Sequence, residues 1–317
     1  YSSRFFRLLH LLCRQKNNMK IFCKVILIFV LMNISVFSDE RTSIEFKYGI
    51  LSGTANEIVY WSSSSDKKLS ELIWNLDNVN LIGVGTTYNI NENGSINFDF
   101  YMNADTGKSD MTDYDWTNYN SSNWTHWSNS PTDITKVYKL DLNFKYISSV
   151  RENLDFFIMA GYKLDIYKWV AIGGDYIYPS ESGSLQDIPV ISYNQYFNVP
   201  YVGLGAVLNM SNFSFTGKLI YSGAVIAKDE DTHHLRDLYF EEYFEGGKML
   251  GLILRGEYNF TENFAILGSV DYSKYYLNKG YTIETDLTDG STTTYGEGSA
   301  GIENETSMIS LGLNYKF

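Results

Sequence analysis

The chain has 317 residues, 16 % of them aromatic, and a net charge of −12 at pH 7, which disfavours nucleic acid as a partner and favours cationic ones. Both cysteines, Cys13 and Cys23, lie within the first 38 residues. The rest of the chain can therefore form neither a disulfide framework nor a cysteine-based catalytic or metal site. It also contains no apolar stretch long enough for a membrane-spanning helix.

The amino-terminal segment has the features of a secretory signal peptide. Met19 and Lys20 give a basic start, an apolar run follows, and Ser38 precedes acidic residues. The apolar run falls short of the ~20 residues that a membrane-spanning helix needs, so an anchor is the less favoured alternative. We expect residues 1–38 to be upstream sequence plus a signal peptide that starts at Met19. Residues 39–317 would form the folded domain.

Apolar and polar residues alternate along this domain, and ten strands are predicted from the pattern. Clear examples are Ile44–Ile50, Ile82–Ile90, Ile96–Met102, Leu140–Tyr146 and Ile309–Phe317. A period of two indicates strands with one apolar face. The other face carries Asp, Asn and Lys, which suits a polar lumen, and the high aromatic content suits interfacial girdles. The sequence therefore predicts an all-β fold, a ten-stranded antiparallel transmembrane β-barrel.

The connections between the predicted strands alternate in length. Tight turns are predicted at residues 91–94, 148–153, 209–212 and 259–263. Long loops are predicted at residues 55–72, 105–134, 168–189, 226–247 and 277–300. Outer-membrane barrels have short periplasmic turns and long extracellular loops. All five long connections should therefore lie outside the cell, which brings Asp113 and His233 to the same side of the membrane.

Two aspartates in the second long connection are candidates for acid–base chemistry. Asp113 and Asp115 are two residues apart, so in an extended strand both side chains point to one face. Neighbouring carboxyls ionise with difficulty, share a proton, and can position or deprotonate a water molecule. The alternatives are a solvated acidic loop or a pair of calcium ligands.

A second candidate pair lies in the fourth long connection. Asp231 and His233 are also two residues apart, and a carboxylate beside an imidazole makes histidine a competent general base. Past residue 38 the histidines are His126, His233 and His234, so histidine chemistry must use these. Adjacent strand residues point in opposite directions, which disfavours the competing hypothesis of a metal site formed by His233, His234 and the acids. No metal or cofactor is expected.

A series of motifs appears in order between about Phe46 and Phe317: Met111–Trp116, Trp124–Thr125 with Ser128 and Pro131, Met159–Tyr162, Gly173–Tyr178, Pro200–Leu204, Tyr221–Gly223 and Gly301–Asn304. In these motifs and their spacing the chain resembles the omptins, outer-membrane proteases of Gram-negative bacteria. The resemblance implies that residues 39–317 are an outer-membrane β-barrel protease domain. It implies a monomer without a cofactor, whose active site faces the extracellular side.

The resemblance also implies roles for particular residues. Asp113 and Asp115 would face Asp231 and His233, and a water molecule between the two couples would attack the peptide carbonyl with His233 as general base. Ser128 would have a supporting role. Such an enzyme is an aspartic-type endopeptidase of the omptin class.

Specificity and lipid dependence follow from the same resemblance. Glu57 and Asp229 match the acids of the pocket that receives a basic side chain, so cationic peptides or proteins are the expected substrates. Omptins hold lipopolysaccharide on the outer wall with two arginines, and the matching residues here are Ile166 and Tyr196. We therefore expect weak or absent dependence on lipopolysaccharide.

Two other functions remain as alternatives. A barrel adhesin or receptor could keep the fold without proteolysis, and the presence of all four catalytic positions argues against it. A porin would need an open lumen, whereas a small barrel is filled by its own side chains.

Overall fold

The computed structural model describes residues 41–62 and 64–317, and the expected signal peptide lies outside these residues. The described residues form eleven strands in chain order: β1 (Thr42–Tyr60), β2 (Lys68–Asn89), β3 (Gly94–Asn103), β4 (Gly107–Asp115), β5 (His126–Arg151), β6 (Leu154–Ile177), β7 (Ser182–Met210), β8 (Phe213–His233), β9 (Leu238–Asn259), β10 (Phe264–Asp286) and β11 (Thr292–Lys316). In this part of the chain no helix is long and apolar enough to cross a membrane.

The strands form one closed antiparallel sheet. β1 pairs with β2 on one side and with β11 on the other, and the β1–β11 register runs from Ser43 opposite Lys316 to Val59 opposite Ala300. Both β3 and β4 lie between β2 and β5, at different heights. They are therefore two halves of one strand position in the barrel. The described residues thus form a barrel with ten strand positions, as the alternation predicted.

The outer surface carries the apolar face of this alternation. On β11, Ile309, Leu311 and Leu313 are 53–64 % exposed, whereas Ser310 and Asn314 between and beside them are buried. This arrangement is the reverse of a soluble β-protein and is typical of strands that face lipid. The apolar band, as we call this surface, begins at the turn end of the barrel and reaches outward to a level marked by exposed tyrosines: Tyr48, Tyr162 and Tyr221.

Side chains fill the lumen at two levels. Inside the apolar band, Arg255 forms ion pairs with Glu45 at 2.7 Å and with Glu257 at 2.6 Å. Farther out, Trp74, Trp169 and Tyr193 pack together with ring centroids 5.1–6.0 Å apart. This aromatic layer lies directly beneath the candidate site, and it leaves the porin alternative without support.

The predicted tight turns are confirmed, but most of each predicted long loop is strand. The short turns fall at residues 90–93, 152–153, 211–212 and 260–263. At the other end, the strands continue beyond the apolar band, and the connections shrink to residues 61–67, 116–125, 178–181, 234–237 and 287–291. The candidate catalytic residues therefore lie on rigid strand extensions instead of on loops.

Candidate active site

Two aspartates lie on one face of β4, as their spacing predicted. Asp113 and Asp115 are both within the strand, which ends at Asp115. Ser70 of β2 donates a hydrogen bond to Asp113 Oδ1 at 3.3 Å, and Ser128 of β5 lies opposite Asp113 in the register. The flanking strands therefore hold the pair on both sides.

The local environment favours the protonated form of this pair. Burial raises the pKa of Asp113 to about 8, and repulsion from Asp115 and Asp231 adds to the shift. Burial also raises the pKa of Asp115. Near neutral pH the pair can thus hold a proton, so that one carboxyl donates a hydrogen bond while the other accepts one.

The second couple lies at the end of β8. His233 Nε2 is 2.6 Å from Asp231 Oδ2, and the Asp231 side chain is 1 % exposed. A guanidinium can only donate, so the 2.8 Å contact between Arg236 Nη2 and His233 Nδ1 makes Nδ1 the acceptor and leaves the ring hydrogen on Nε2, beside Asp231. Phe240 packs edge-on against the imidazole, with ring centroids 5.4 Å apart. The ring is therefore held in one orientation and one tautomer.

The two couples face each other across the lumen near its open end. β4 and β8 are separated by β5, β6 and β7 around the barrel. The negative charge of Asp231 nevertheless reaches Asp113, and the imidazole of His233 stabilises the ionised form of Asp115. The space between them is open to the extracellular end and has an acid pair on one wall and a base on the other.

Arg236, in the turn after β8, reaches back to this space. Its Nη2 lies 2.8 Å from Nδ1 of His233, the nitrogen that keeps the lone pair. Its positive charge also opposes the effect of burial on Asp113 and Asp115, because it lowers the pKa of both. Arg236 could not be predicted from the sequence, since no spacing pattern shows how far the side chain of an exposed turn residue reaches.

The two predicted pocket acids lie close to the two candidate catalytic couples. Asp229 precedes Asp231 by two residues on the same face of β8, and Glu57 lies on β1. Both are buried, and Tyr193 donates a hydrogen bond to Asp229 Oδ2 at 2.9 Å. Burial raises the pKa of Glu57, and repulsion from Asp231 and other nearby acids raises it further.

A third acid, Glu242, belongs to the same pocket. It lies on β9 directly opposite Asp229, and Thr282 of β10 donates a hydrogen bond to its Oε1 at 2.9 Å. Burial raises its pKa to about 8. No local pattern in the sequence points to Glu242, because residues 226–247 are predicted to be a loop. In the hairpin that these residues form, Glu242 pairs with Asp229.

The other histidine at this end of β8 takes no part in the site. His234 lies just beyond the strand and is exposed, and its Nε2 is 2.8 Å from Ser192 Oγ. Within residues 41–62 and 64–317, no group of three His, Cys, Asp or Glu residues could hold a metal ion.

Comparison with known proteins identifies relatives with the same fold. The Omptin family model matches residues 38–317. The plasminogen activator of Yersinia pestis is 32 % identical over 284 residues, which cover 88 % of this chain and 91 % of that protein. The outer membrane protease OmpP of Escherichia coli (strain K12) is 31 % identical over 290 residues, which cover 89 % and 92 %.

A solved structure agrees with these matches. The crystal structure of the outer membrane protease OmpT from Escherichia coli superposes with a TM-score of 0.83 at 26 % identity, covering 87 % of this chain and 96 % of that one. Family model, relatives and solved structure agree over nearly all of the described residues. The chain therefore belongs to the omptin family and is an outer-membrane β-barrel protease.

Proposed function

We propose that this protease is an aspartic-type endopeptidase that cleaves peptide bonds next to basic residues with a water molecule as nucleophile. The observation that carries the proposal is the 2.6 Å contact between Asp231 and His233, opposite the acid pair Asp113 and Asp115 at the open end of the barrel. A base with a fixed tautomer and a protonated acid on opposite walls suit the hydrolysis of a carbonyl compound.

Each group has a defined role in the proposed reaction. The water oxygen attacks the peptide carbonyl carbon, and its proton moves to Nδ1 of His233, while Asp231 stabilises the imidazolium. A protonated carboxyl of the Asp113–Asp115 pair donates a hydrogen bond to the carbonyl oxygen, which becomes negative in the tetrahedral intermediate. The C–N bond then breaks, and His233 returns the proton to the leaving amine.

The pocket beside this site supports a preference for cationic substrates. Glu57 and Asp229 are buried within reach of the catalytic couples, and no basic side chain of the described residues forms an ion pair with either. A buried carboxylate without a cation is unfavourable, so a basic side chain of the substrate would relieve that cost. Cationic peptides and surface proteins are therefore the proposed substrates.

Cleavage of an internally quenched peptide that contains Arg-Arg tests this function. We expect the detergent-refolded protein to cleave it, and His233→Ala or Asp231→Asn to lower kcat by at least about 100-fold, because the general base is lost or misoriented. His234→Ala is the matched control, since that neighbouring histidine lies outside the site, and it should retain activity. The different gel mobilities of unboiled and boiled protein report folding.

Equal rates for the wild type and the His233→Ala variant would contradict the proposed mechanism. The alternative of a non-proteolytic adhesin or receptor predicts that result together with retained binding of a protein ligand.

We also propose that activity does not require lipopolysaccharide. Ile166 and Tyr196 lie opposite each other on the outer wall, and the Tyr196 hydroxyl donates to Glu230 at 3.0 Å and accepts from Lys168 at 2.7 Å. A lipid phosphate would meet no guanidinium at these two positions. Cleavage rates should therefore be similar with and without added lipopolysaccharide, and an enzyme that is silent until the lipid is added would contradict the proposal.

A further inference from the structure

Glu242 and Asp229 form a cross-strand pair of acids inside the pocket. Glu242 is 2 % exposed and Asp229 is fully buried, and the two residues lie directly opposite each other on β9 and β8. Glu57, which is 3 % exposed, adds a third carboxyl from β1. Three strands therefore deliver three carboxyls to one buried space.

Each of these carboxyls keeps one oxygen that no donor group outside the three acids reaches. Thr282 donates to Oε1 of Glu242, and Tyr193 donates to Oδ2 of Asp229, both at 2.9 Å. The other oxygens, Glu242 Oε2 and Asp229 Oδ1, are buried and receive no donor from any other side chain, as is true of Glu57 Oε2 and, apart from the contact of Oδ2 with His233, of both oxygens of the neighbouring Asp231. Glu242 and Asp229 can hydrogen-bond each other only while one of them is protonated. Unpaired buried acceptors are costly, and several in one place indicate a ligand that supplies donors.

The missing donors must also bring positive charge. Tyr193 and Thr282 are neutral, and the ion pairs formed by the described residues involve none of the three pocket acids. The acids instead repel one another: repulsion from Asp229 and Glu242 adds to the effect of burial on Glu57. A cation from the substrate can satisfy the acceptors and reduce this repulsion together.

We infer that Glu242 is a specificity-determining residue that, with Glu57 and Asp229, makes the pocket select arginine over lysine. The inference rests on the proposed function and deepens it. A guanidinium has five N–H donors spread over a plane, whereas an ammonium has three on one atom. It is also more weakly hydrated, so burying it costs less. A pocket with three acids on three strands therefore suits arginine better than a pocket with two acids.

Peptides that differ only at the residue before the scissile bond test this inference. The residue is arginine, lysine or citrulline, the neutral analogue of arginine. Glu242→Gln keeps the size of the side chain and removes its charge, so kcat/KM for the arginine peptide should fall about 10- to 100-fold, mainly through KM. The lysine peptide should lose less, and the ratio of arginine to lysine cleavage should therefore fall.

Two further variants separate specificity from folding. Glu245→Gln is the matched control, because Glu245 lies on the same strand but is exposed, and it should change neither rate nor ratio. Glu242→Asp keeps the charge on a shorter side chain and should recover part of the arginine preference. An arginine-to-lysine ratio that stays at the wild-type value in Glu242→Gln would overturn the inference.

Binding measured without catalysis distinguishes failure of this inference from failure of the proposed function. In the His233→Ala background, a fluorescent arginine peptide should bind more tightly than the citrulline peptide, and adding Glu242→Gln should reduce that difference. If His233→Ala does not impair cleavage, the proposed mechanism is wrong and the binding result still decides the role of Glu242. Equal binding with and without Glu242→Gln means that Glu242 has no part in recognition.

Discussion

Arg236 controls how easily the acid pair at the open end of the barrel ionises. Its guanidinium contacts Nδ1 of His233, and its charge lowers the pKa of Asp113 and Asp115 while burial raises both. Nδ1 must accept the proton of the attacking water in the proposed mechanism. The guanidinium therefore has to leave this nitrogen when substrate and water enter, and Arg236 can then remain close enough to stabilise the carboxylates.

Removal of this charge should change the pH dependence of cleavage. In Arg236→Gln the carboxylates lose a favourable interaction, so the pKa of each rises and a higher pH is needed to ionise them. The proposed mechanism uses the protonated form of the pair, so we expect the alkaline limb of kcat/KM, on which the pair loses this proton, to move to higher pH. Relative activity on that limb should rise several-fold.

Arg236→Lys keeps the charge and is the control. The pH profile of its kcat/KM should lie close to that of the wild type. A pH–rate profile of Arg236→Gln that overlays the wild-type profile would refute this role.

The sequence predicts six candidate site residues but not Glu242 and Arg236, which lie beside them and whose positions depend on tertiary geometry. Asp113 and Asp115, like Asp231 and His233, have spacings of two residues, which place each couple on one strand face in any sheet. Glu242 enters the pocket only through the register of the β8–β9 hairpin. Arg236 enters only through the reach of a side chain in a turn. Neither the strand register nor the reach of a side chain can be read from a local sequence pattern.

At the scale of strands, alternation predicted the membrane part of the barrel and failed above it. Within the apolar band lipid requires every outward residue to be apolar, so the period of two is clear. Beyond the band the outward residues meet water, and polar side chains occur on both faces. The first residues of β7 and of β11, Ser182–Asp187 and Thr292–Gly298, are polar or glycine-rich for this reason and looked like loops.

Several irregularities in the strands lie where the barrel leaves the apolar band. The pairing register shifts between Leu51 and Gly53 and between Ser222 and Val225, and the third strand position is interrupted between β3 and β4. Asn103 bridges this interruption, since its Oδ1 accepts from the backbone N–H of Val137 and its Nδ2 donates to Asp105 O. Bulges bend strands and increase twist. They therefore allow the extracellular half a shape different from that of the membrane half.

The described residues thus divide into a membrane half held by ion pairs and a groove half that contains buried acids without an ion-pair partner. Asp113, Glu57, Asp229 and Glu242 all lie beyond the apolar band, and burial raises the pKa of each. The groove half is therefore destabilised when these acids ionise. This cost is consistent with a site that gains its missing cation from the substrate.

Stability should therefore fall as the pH rises towards 8. In an unfolded chain the ordinary pKa is 3.8 for the side chain of Asp113 and 4.5 for that of Glu242, and burial raises both to about 8 in the fold. Between these limits the folded chain binds more protons than the unfolded chain, so the free energy of unfolding decreases with increasing pH. The stabilisation is complete below the unfolded values and is lost as the pH passes through the folded ones. Urea unfolding followed by tryptophan fluorescence in one lipid or detergent at several pH values measures this trend.

Glu242→Gln provides the decisive comparison for this trend, because glutamine fills the same space but cannot ionise. Each unit of upward pKa shift corresponds to about 1.4 kcal/mol at a pH above the folded pKa. The variant should be more stable than the wild type by at least about 1 kcal/mol at pH 8, and the difference should shrink towards pH 4.5. Glu245→Gln, on the exposed face of β9, should follow the wild-type curve. Two results would contradict this prediction: a urea midpoint of the wild type that rises between pH 5 and pH 8, or a Glu242→Gln variant whose stability depends on pH as strongly as that of the wild type. Either result would mean that these acids ionise in the folded protein without cost, because solvent reaches the pocket.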